Sequence, residues 1–258
     1  MTTDQQPATL TKAQRKQLIV KEINIHTRAT FEHLALIVNV SEDTIRRDIN
    51  ELEKENLVIK VKGGAMASAY HHTSEQKAYS QDDKITIAQK LLPLLRKDML
   101  LLLGGGTTIR EFIKLIPGNL RITIVTASVL SAVELLDKPN IRTIMLGGQI
   151  STYSQMSFSG DVFNQLSHLK TDLCILGTNA LDIEGGFSDS DWDTVQVKKA
   201  MLASSEKVAI VSISEKLNST MKIKIANLSE VDYIVTELSP DAALLSPYKT
   251  ANPNLTFL

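Results

Sequence analysis

The sequence predicts a two-domain α/β protein: a small helical module ending in a two-stranded ribbon, then a larger domain built on a parallel sheet. Three observations carry this. Residues 11–66 hold apolar residues at helical spacing and close on a basic, glycine-marked ribbon. From Lys84 to the end, short all-apolar runs alternate with helical segments. The length, 258 residues, suits two domains better than one.

Taken in order, residues 1–10 are polar and read as a disordered tail. Leu18, Ile19, Ile23 and Ile25 predict a helix over 12–26. Thr30 can cap a second helix whose Phe31, Leu34, Ala35, Ile37 and Val38 face inward. Asn39-Val40 makes the turn, and Ser41 caps a third helix by accepting the Thr44 amide. Ile45, Ile49 and Leu52 stand at i, i+4 and i+7, so they bury the inner face. Positions 42, 43, 44, 46, 47 and 50 are left outward. Leu57 to Gly64 reads as two short strands, with glycines allowing the tight turn between them.

Two helices, a capped third helix with adjacent arginines and a basic ribbon form a winged helix-turn-helix, which sets the start of its third helix against base edges. Ser41, Thr44, Arg46 and Arg47 are the candidate DNA contacts on that helix; Lys60, Lys62 and Gly63 are those on the wing. An arginine fork pairs with guanine O6 and N7 or holds a phosphate, and the sequence leaves open which arginine does which. Glu42 and Asp43 suit the helix N-terminus through its dipole.

Composition narrows the alternatives. A net charge of −1 gives no overall nucleic-acid signature, so DNA binding rests on local placement. The single cysteine, Cys174, lies in an apolar run and excludes an intrachain disulfide. No apolar stretch nears the roughly 20 residues that cross a bilayer, and the N-terminus lacks a signal-peptide core, so a cytoplasmic protein without membrane contact is expected. Residues 67–83 read as a linker, and His71-His72 as solvated rather than metal-binding.

Residues 84–258 form the second domain. Helices are expected over Ile85–Leu95, Ile109–Leu115 and Val129–Leu136. Strands are expected over Met99–Leu103, Ile122–Val125, Ile141–Leu146, Leu173–Leu176, Val208–Val211 and Tyr233–Val235. Continuous apolar strands between helices point to a parallel sheet buried on both faces. Ligands of such sheets bind at the strands' carboxyl ends. There Gly104, Gly105, Gly106, Thr107 and Thr108 offer amides, hydroxyls and a helix start suited to phosphate. Thr126, Ser128, Gly147, Gly148, Gly177 and Lys216 can line the same crevice. The glycine run is neither a dinucleotide fingerprint nor a Walker loop. No cofactor and no metal site are expected.

Val40-Ser41, Thr44-Ile45-Arg46-Arg47-Asp48, Leu52-Glu53 and Gly63-Gly64-Ala65 resemble the DNA-binding domain of the DeoR family of bacterial transcriptional regulators. The resemblance continues through Lys84, Gly106-Thr107-Thr108, Gly147-Gly148, Ser159-Gly160, Asp172, Gly186-Phe187, Val197-Lys198, Lys216 and Thr236. It implies a sensor domain similar in fold to ribose-phosphate isomerases, an effector of the phosphorylated-sugar type, repression of a carbohydrate operon, and a homo-oligomer. Four positions depart from the family pattern: Gly104 where an acid is usual, Ala127 for an asparagine, Ser151 near a common arginine, and Ile213 for another acid. Lys60 replaces an arginine ahead of the wing. Asp182, Glu184, Asp189, Asp191, Trp192 and Asp193 read as a solvated acidic loop that can also supply substitute polar contacts. Two other readings share these residues: a sugar-phosphate isomerase-like enzyme, and a DNA-binding protein whose second domain only assembles oligomers.

Overall fold

The computed structural model describes residues 10–68, 79–152 and 154–258. Residues 1–9 of the expected tail and the His71-His72 pair lie outside the described residues. The chain divides into two compact units, Met1–Tyr79 and Ser80–Leu258.

In the first unit, α1 (Lys12–His26) begins at a capping box in which Thr11 and Gln14 bond each other's amides. It buries Ile19, Ile23 and Ile25, whereas Leu18, expected inside, is 39% exposed. A short strand, β1 (Arg28–Thr30), leads into α2 (Phe31–Val38), capped by Thr30. Ile37 was also expected inside and stands on the outer side, 44% exposed: α2 has only eight residues, too few turns to bury three neighbouring faces. Asn39 turns the chain in the left-handed region at φ 52°. Then α3 (Glu42–Lys54) buries Ile45, Ile49 and Leu52, each worth about 1.5–3 kcal/mol of burial. β2 (Val58–Val61) and β3 (Gly64–Ala67) form the ribbon, and β1 adds to β3 in the antiparallel order β1-β3-β2. Gly64 is required there, because a Cβ would stand 2.1 Å from the Ala29 carbonyl oxygen.

In the second unit, α4 (Gln81–Leu91) starts inside the segment read as linker and ends sooner than its periodicity suggested. Pro93 turns the following residues into a 3-10 turn over Leu92–Leu94. The elements β4 (Leu100–Leu103), α5 (Thr107–Leu115), β5 (Ile122–Thr126), α6 (Val129–Leu135) and β6 (Ile141–Met145) alternate as the apolar runs predict. A small hairpin, β7 (Gln149–Ile150) and β8 (Ser157–Phe158), precedes α7 (Gly160–Ser167) and β9 (Leu173–Gly177). Next come β10 (Ala180–Asp182), β11 (Gly186–Asp189), α8 (Trp192–Ala203), β12 (Val208–Val211), β13 (Ile223–Ala226) and β14 (Tyr233–Val235). The chain closes with α9 (Ser246–Ala251) and β15 (Thr256–Phe257).

Seven strands form one wholly parallel sheet in the order β15-β14-β12-β9-β4-β5-β6. Its core joins aliphatic residues, including Leu102, Val125, Leu176 and Ile210, to the buried rings of Phe187 and Tyr248. Cys174 belongs to it, and burial pushes its thiol pKa up to about 12, which makes it an inert core residue. From β4 the chain winds outward through β5 and β6, then returns to β9 and winds the other way. The order therefore reverses between β4 and β9, and the crevice outside their carboxyl ends is where such a sheet holds a ligand. A separate antiparallel sheet, β10-β11-β13, stands after β9 and carries side chains into the same region.

Candidate DNA interface and effector crevice

The sequence of α3 sorts its own charges. Asp48 falls on the inner face beside Ile45 and Ile49, and Arg15 of α1 meets it with two bonds, Nε at 2.6 Å and a guanidinium nitrogen at 3.2 Å. That pair fixes α1 on α3, with Lys12 and Lys16 reaching Glu51 and Glu55 farther along. Asp48 therefore takes no part in the outward face.

The two arginines then separate. The Arg46 guanidinium bonds Glu42 at 3.1 Å and lies over the Phe31 ring, 4.3 Å from its centre. Arg47 is exposed and bonds none of the described residues. Ser41 accepts the Thr44 amide at 3.3 Å and its hydroxyl meets that of Thr44 at 3.0 Å, so both are part of the cap. On the wing, the Lys60 ammonium bonds Asn50 of α3 at 2.6 Å while its amide bonds Glu53, which holds the ribbon against the helix. Lys62 and Gly63 make the turn: Gly63 adopts φ 82°, and the Lys62 carbonyl accepts from Arg28. Of the four candidate cations, Arg47 and the Lys62 ammonium thus bond none of the described residues, while Arg46 and Lys60 are held by the protein.

The expected effector residues occupy three kinds of place. Gly105, Gly106, Thr107 and Thr108 stand half-exposed at the reversal point, and Gly177 closes its other side. A Cβ on Gly177 would lie 3.5 Å from the Gly105 carbonyl oxygen, so the two loops line one opening. Gly106 precedes α5 at φ 115°, and the first-turn amides of α5 face outward with the Thr107 and Thr108 hydroxyls, which bond none of the described residues. Thr126 and Ser128, by contrast, are buried and occupied. Thr126 accepts the Ser128 amide, and Ser128 caps α6. Ser131 reaches from α6 to the Gly104 carbonyl at 2.8 Å, which ties the β4 and β5 loops together. Gly147 and Gly148 follow β6, two strands from β4, roughly 10 Å away at the usual strand spacing. There Gly148 packs on Ser159 and Val162, where a Cβ would meet the serine oxygen at 2.5 Å.

Lys216, just past β12, turns back over the crevice and bonds the Thr178 carbonyl at 2.8 Å. Two lysines that the sequence reading had not placed in the site join it. Burial is the main cause that pushes the Lys216 pKa down to about 7, and the nearby ammoniums of Lys84 and Lys198 lower it further against a partial offset from Asp189. Lys84, on α4, is itself lowered to about 8 by burial, with Glu111 and Asp83 opposing. Lys198, on α8, bonds Asp189 at 2.9 Å. Burial alone would raise the Asp189 carboxyl. The Lys198 ammonium, the Ser190 amide and the Asn179 side chain outweigh that and hold it below the usual carboxylate range. The acidic loop is thus dissected: Asp189 is buried in this pair, Asp182 turns the chain by accepting two amides, and Asp191 caps α8. Trp192 is 64% exposed beside it. Of the departing positions, Gly104, Ala127 and Ile213 are buried and bring no carboxylate or amide side chain.

Among the described residues, no helix is long and apolar enough to cross a membrane, and no group of histidine, cysteine and acidic side chains is set to hold a metal ion.

Comparison with known proteins agrees with this division. Residues 15–69 match the model of the DeoR-like helix-turn-helix domain, and residues 79–238 match that of the DeoR C-terminal sensor domain. An uncharacterised helix-turn-helix transcriptional regulator of Bacillus subtilis, YulB, is 29% identical over 90% of this chain and 91% of its own. The glycerol-3-phosphate regulon repressor of Haemophilus influenzae is 29% identical over 88% and 90%. Among solved structures, ribose 5-phosphate isomerase A of Methanocaldococcus jannaschii aligns over 54% of this chain and 55% of its own, at 15% identity and a TM-score of 0.41. With both halves matched in order, the chain belongs to the DeoR family of transcriptional regulators, a DNA-binding helix-turn-helix unit followed by a sensor domain.

Proposed function

We propose that this regulator represses a carbohydrate-metabolism operon in the cytoplasm and is released from its operator by a small phosphorylated, sugar-like effector. The observation that carries the effector half is the crevice at the β4–β9 reversal, where the α5 start opens beside Gly177, Lys216 bonds the adjoining Thr178 carbonyl, and Lys84 and Lys198 act on Lys216. Each of these favours an anion. The glycerol-3-phosphate repressor among the relatives supports a phosphorylated ligand. On the DNA side, Arg47 and Thr44 address base edges, Lys62 and the Gly63 turn meet the backbone, and Arg46 and Lys60 set their angle. Two or more copies bind repeated half-sites as a homo-oligomer. An isomerase reading is disfavoured because both halves of the chain match models of a regulator family. The buried carboxylate beside Lys216, Asp189, is locked by Lys198.

The test is selection of bound sequences from random DNA by the full-length protein, followed by release with a panel of phosphorylated sugars and their unphosphorylated counterparts. The expected result is a repeated motif, released by a phosphorylated compound and by none of the unphosphorylated ones. That compound at about 100 times its Kd adds roughly 2.7 kcal/mol to stability. Selection of a motif that no compound releases, with no stabilisation across the panel, would leave an oligomerisation scaffold instead of a sensor.

A further inference from the structure

Lys216 reaches the crevice from a turn that is held from outside. Its 3-10 turn, Ser214–Lys216, begins at Ile213, whose side chain has no acceptor to offer the turn's amides. The Ser214 amide instead donates to both carboxylate oxygens of Glu237, each at 3.0 Å. Glu237 stands just past β14, which pairs with β12, so the acid comes from the adjoining strand end. That segment is fixed on both sides of Glu237. The Lys90 ammonium of α4 bonds the Thr236 carbonyl at 2.8 Å and the Leu238 carbonyl at 2.5 Å. After the turn, the Ser219 hydroxyl donates to the Lys216 carbonyl at 2.6 Å. The Lys216 ammonium then bonds the Thr178 carbonyl, next to Gly177. The backbone of Lys216 is thus set from the end of β14 and its ammonium from the end of β9. A lysine is a point charge on a flexible stem, so its charge is placed only as well as its backbone is.

We infer that Glu237 is a positioning residue of the effector site: by holding the Ser214 amide it presents Lys216 beside the β4–β9 opening. It acts through Lys216 and not on the ligand. This rests on the crevice being the effector site. A carboxylate bonded to an amide is of the stronger kind of hydrogen bond, and its removal frees the first residue of the turn that carries the lysine.

The test has a ligand-free arm and a ligand arm, both on the full-length protein. In the first, the side-chain signals of isotope-labelled lysines are followed by NMR against pH, and the Lys216 signal is identified by its loss in Lys216→Met. Wild-type Lys216 is expected to titrate near its lowered value of about 7. Glu237→Ala should return it toward the ordinary lysine range, whereas Glu237→Gln, which keeps an oxygen for the Ser214 amide, should leave it low. Lys90→Met, which loosens the carbonyls on either side of Glu237, gives a second route and should move the titration in the same direction as Glu237→Ala. In the other arm, Kd for inorganic phosphate and for glycerol 3-phosphate is measured by calorimetry at about pH 6.5, below the lowered Lys216 value. Glu237→Ala should weaken binding about tenfold, and Glu237→Gln should restore it. In a Lys216→Met background Glu237→Ala should cost nothing further. A Lys216 titration that Glu237→Ala leaves in place overturns the inference. So does a loss of affinity that persists undiminished without Lys216, for Glu237 would then only support the fold. A titration that shifts as expected in a protein that binds neither probe keeps Glu237 in its role and overturns the phosphate reading of the crevice instead.

Discussion

The two units use charge in opposite ways. On the DNA-binding unit two of the candidate contacts, Arg47 and the Lys62 ammonium, bond none of the described residues and are exposed, on α3 and on the wing that follows it. In the sensor unit, Lys84 of α4 and Lys198 of α8 are gathered near Lys216 at the end of β12, with Asp189 bonded to Lys198. Exposed cations cost little to maintain and bind a polyanion additively, through counterion release. Enclosed cations are costly when empty and discriminate sharply when filled. A DNA surface is therefore written locally, whereas a small-molecule site is written by topology.

The sharpest way to break this contrast is to remove one member of a buried pair. Lys198→Met strands the Asp189 carboxylate and is expected to destabilise the sensor unit by about 3–5 kcal/mol in chemical denaturation. Adding Asp189→Asn to that variant should recover most of the loss. If Lys198→Met unfolds at the wild-type midpoint, Asp189 has found water and the cluster is not enclosed. Next comes the DNA surface. Arg47→Ala should cost about 1–3 kcal/mol of operator binding and alter either base preference or salt slope. Arg46→Ala should cost less, because its guanidinium is already held by Glu42 and Phe31. Equal losses would show that Arg46 leaves Glu42 and Phe31 for DNA.

A pH series sharpens the contrast further. Lys216 has a folded pKa near 7, below its unfolded value, so the folded sensor binds fewer protons than the unfolded chain between about pH 7 and 10. Stability of the empty sensor should therefore rise with pH across that window, and Lys216→Met should flatten the rise. Anionic effector affinity should move the opposite way, strongest below pH 7 and falling above it as the lysines lose their protons. A pH-independent Kd across that range would show that the lysines do not meet the ligand. The smallest effect belongs to the surface of α1: Lys12→Ala removes an exposed pair with Glu51 and should leave the denaturation midpoint unchanged.

Much of the architecture was readable because burial follows period. Val208–Val211 and Tyr233–Val235 are apolar throughout and stand as strands at those bounds. Thr30 and Ser41 announce their helices through chemistry local to the cap. The β10-β11-β13 sheet was not readable. Gly186–Asp189 is wholly buried yet mixes glycine, phenylalanine, serine and aspartate, so neither alternation nor an apolar run marks it. The site divided the same way. The glycine loop after β4 is contiguous in the chain, and Lys216 follows a readable strand, so both stand out as candidates. Lys84 and Lys198 sit in helices where a lysine ordinarily faces water, and Asp189 sat in what read as a solvated loop. Their burial is set by which strand follows which, and no spacing in the chain records it. Thr126 and Ser128 were read as ligand contacts because hydroxyls cluster at strand ends. Those same hydroxyls can build the loop, and here each bonds a neighbouring amide.

The winding of the sheet also sets an order in time. The strands flanking the crevice, β4 and β9, are about 70 residues apart, and the outermost strand, β15, is drawn from Thr256–Phe257. Pairings of such long range form late, whereas the DNA-binding unit, drawn from the first 79 residues, can fold while the rest is still being synthesised. Each new molecule thus gains the capacity to touch DNA before it gains the capacity to be told to let go. Control over a freshly made copy begins only when its last strand has docked.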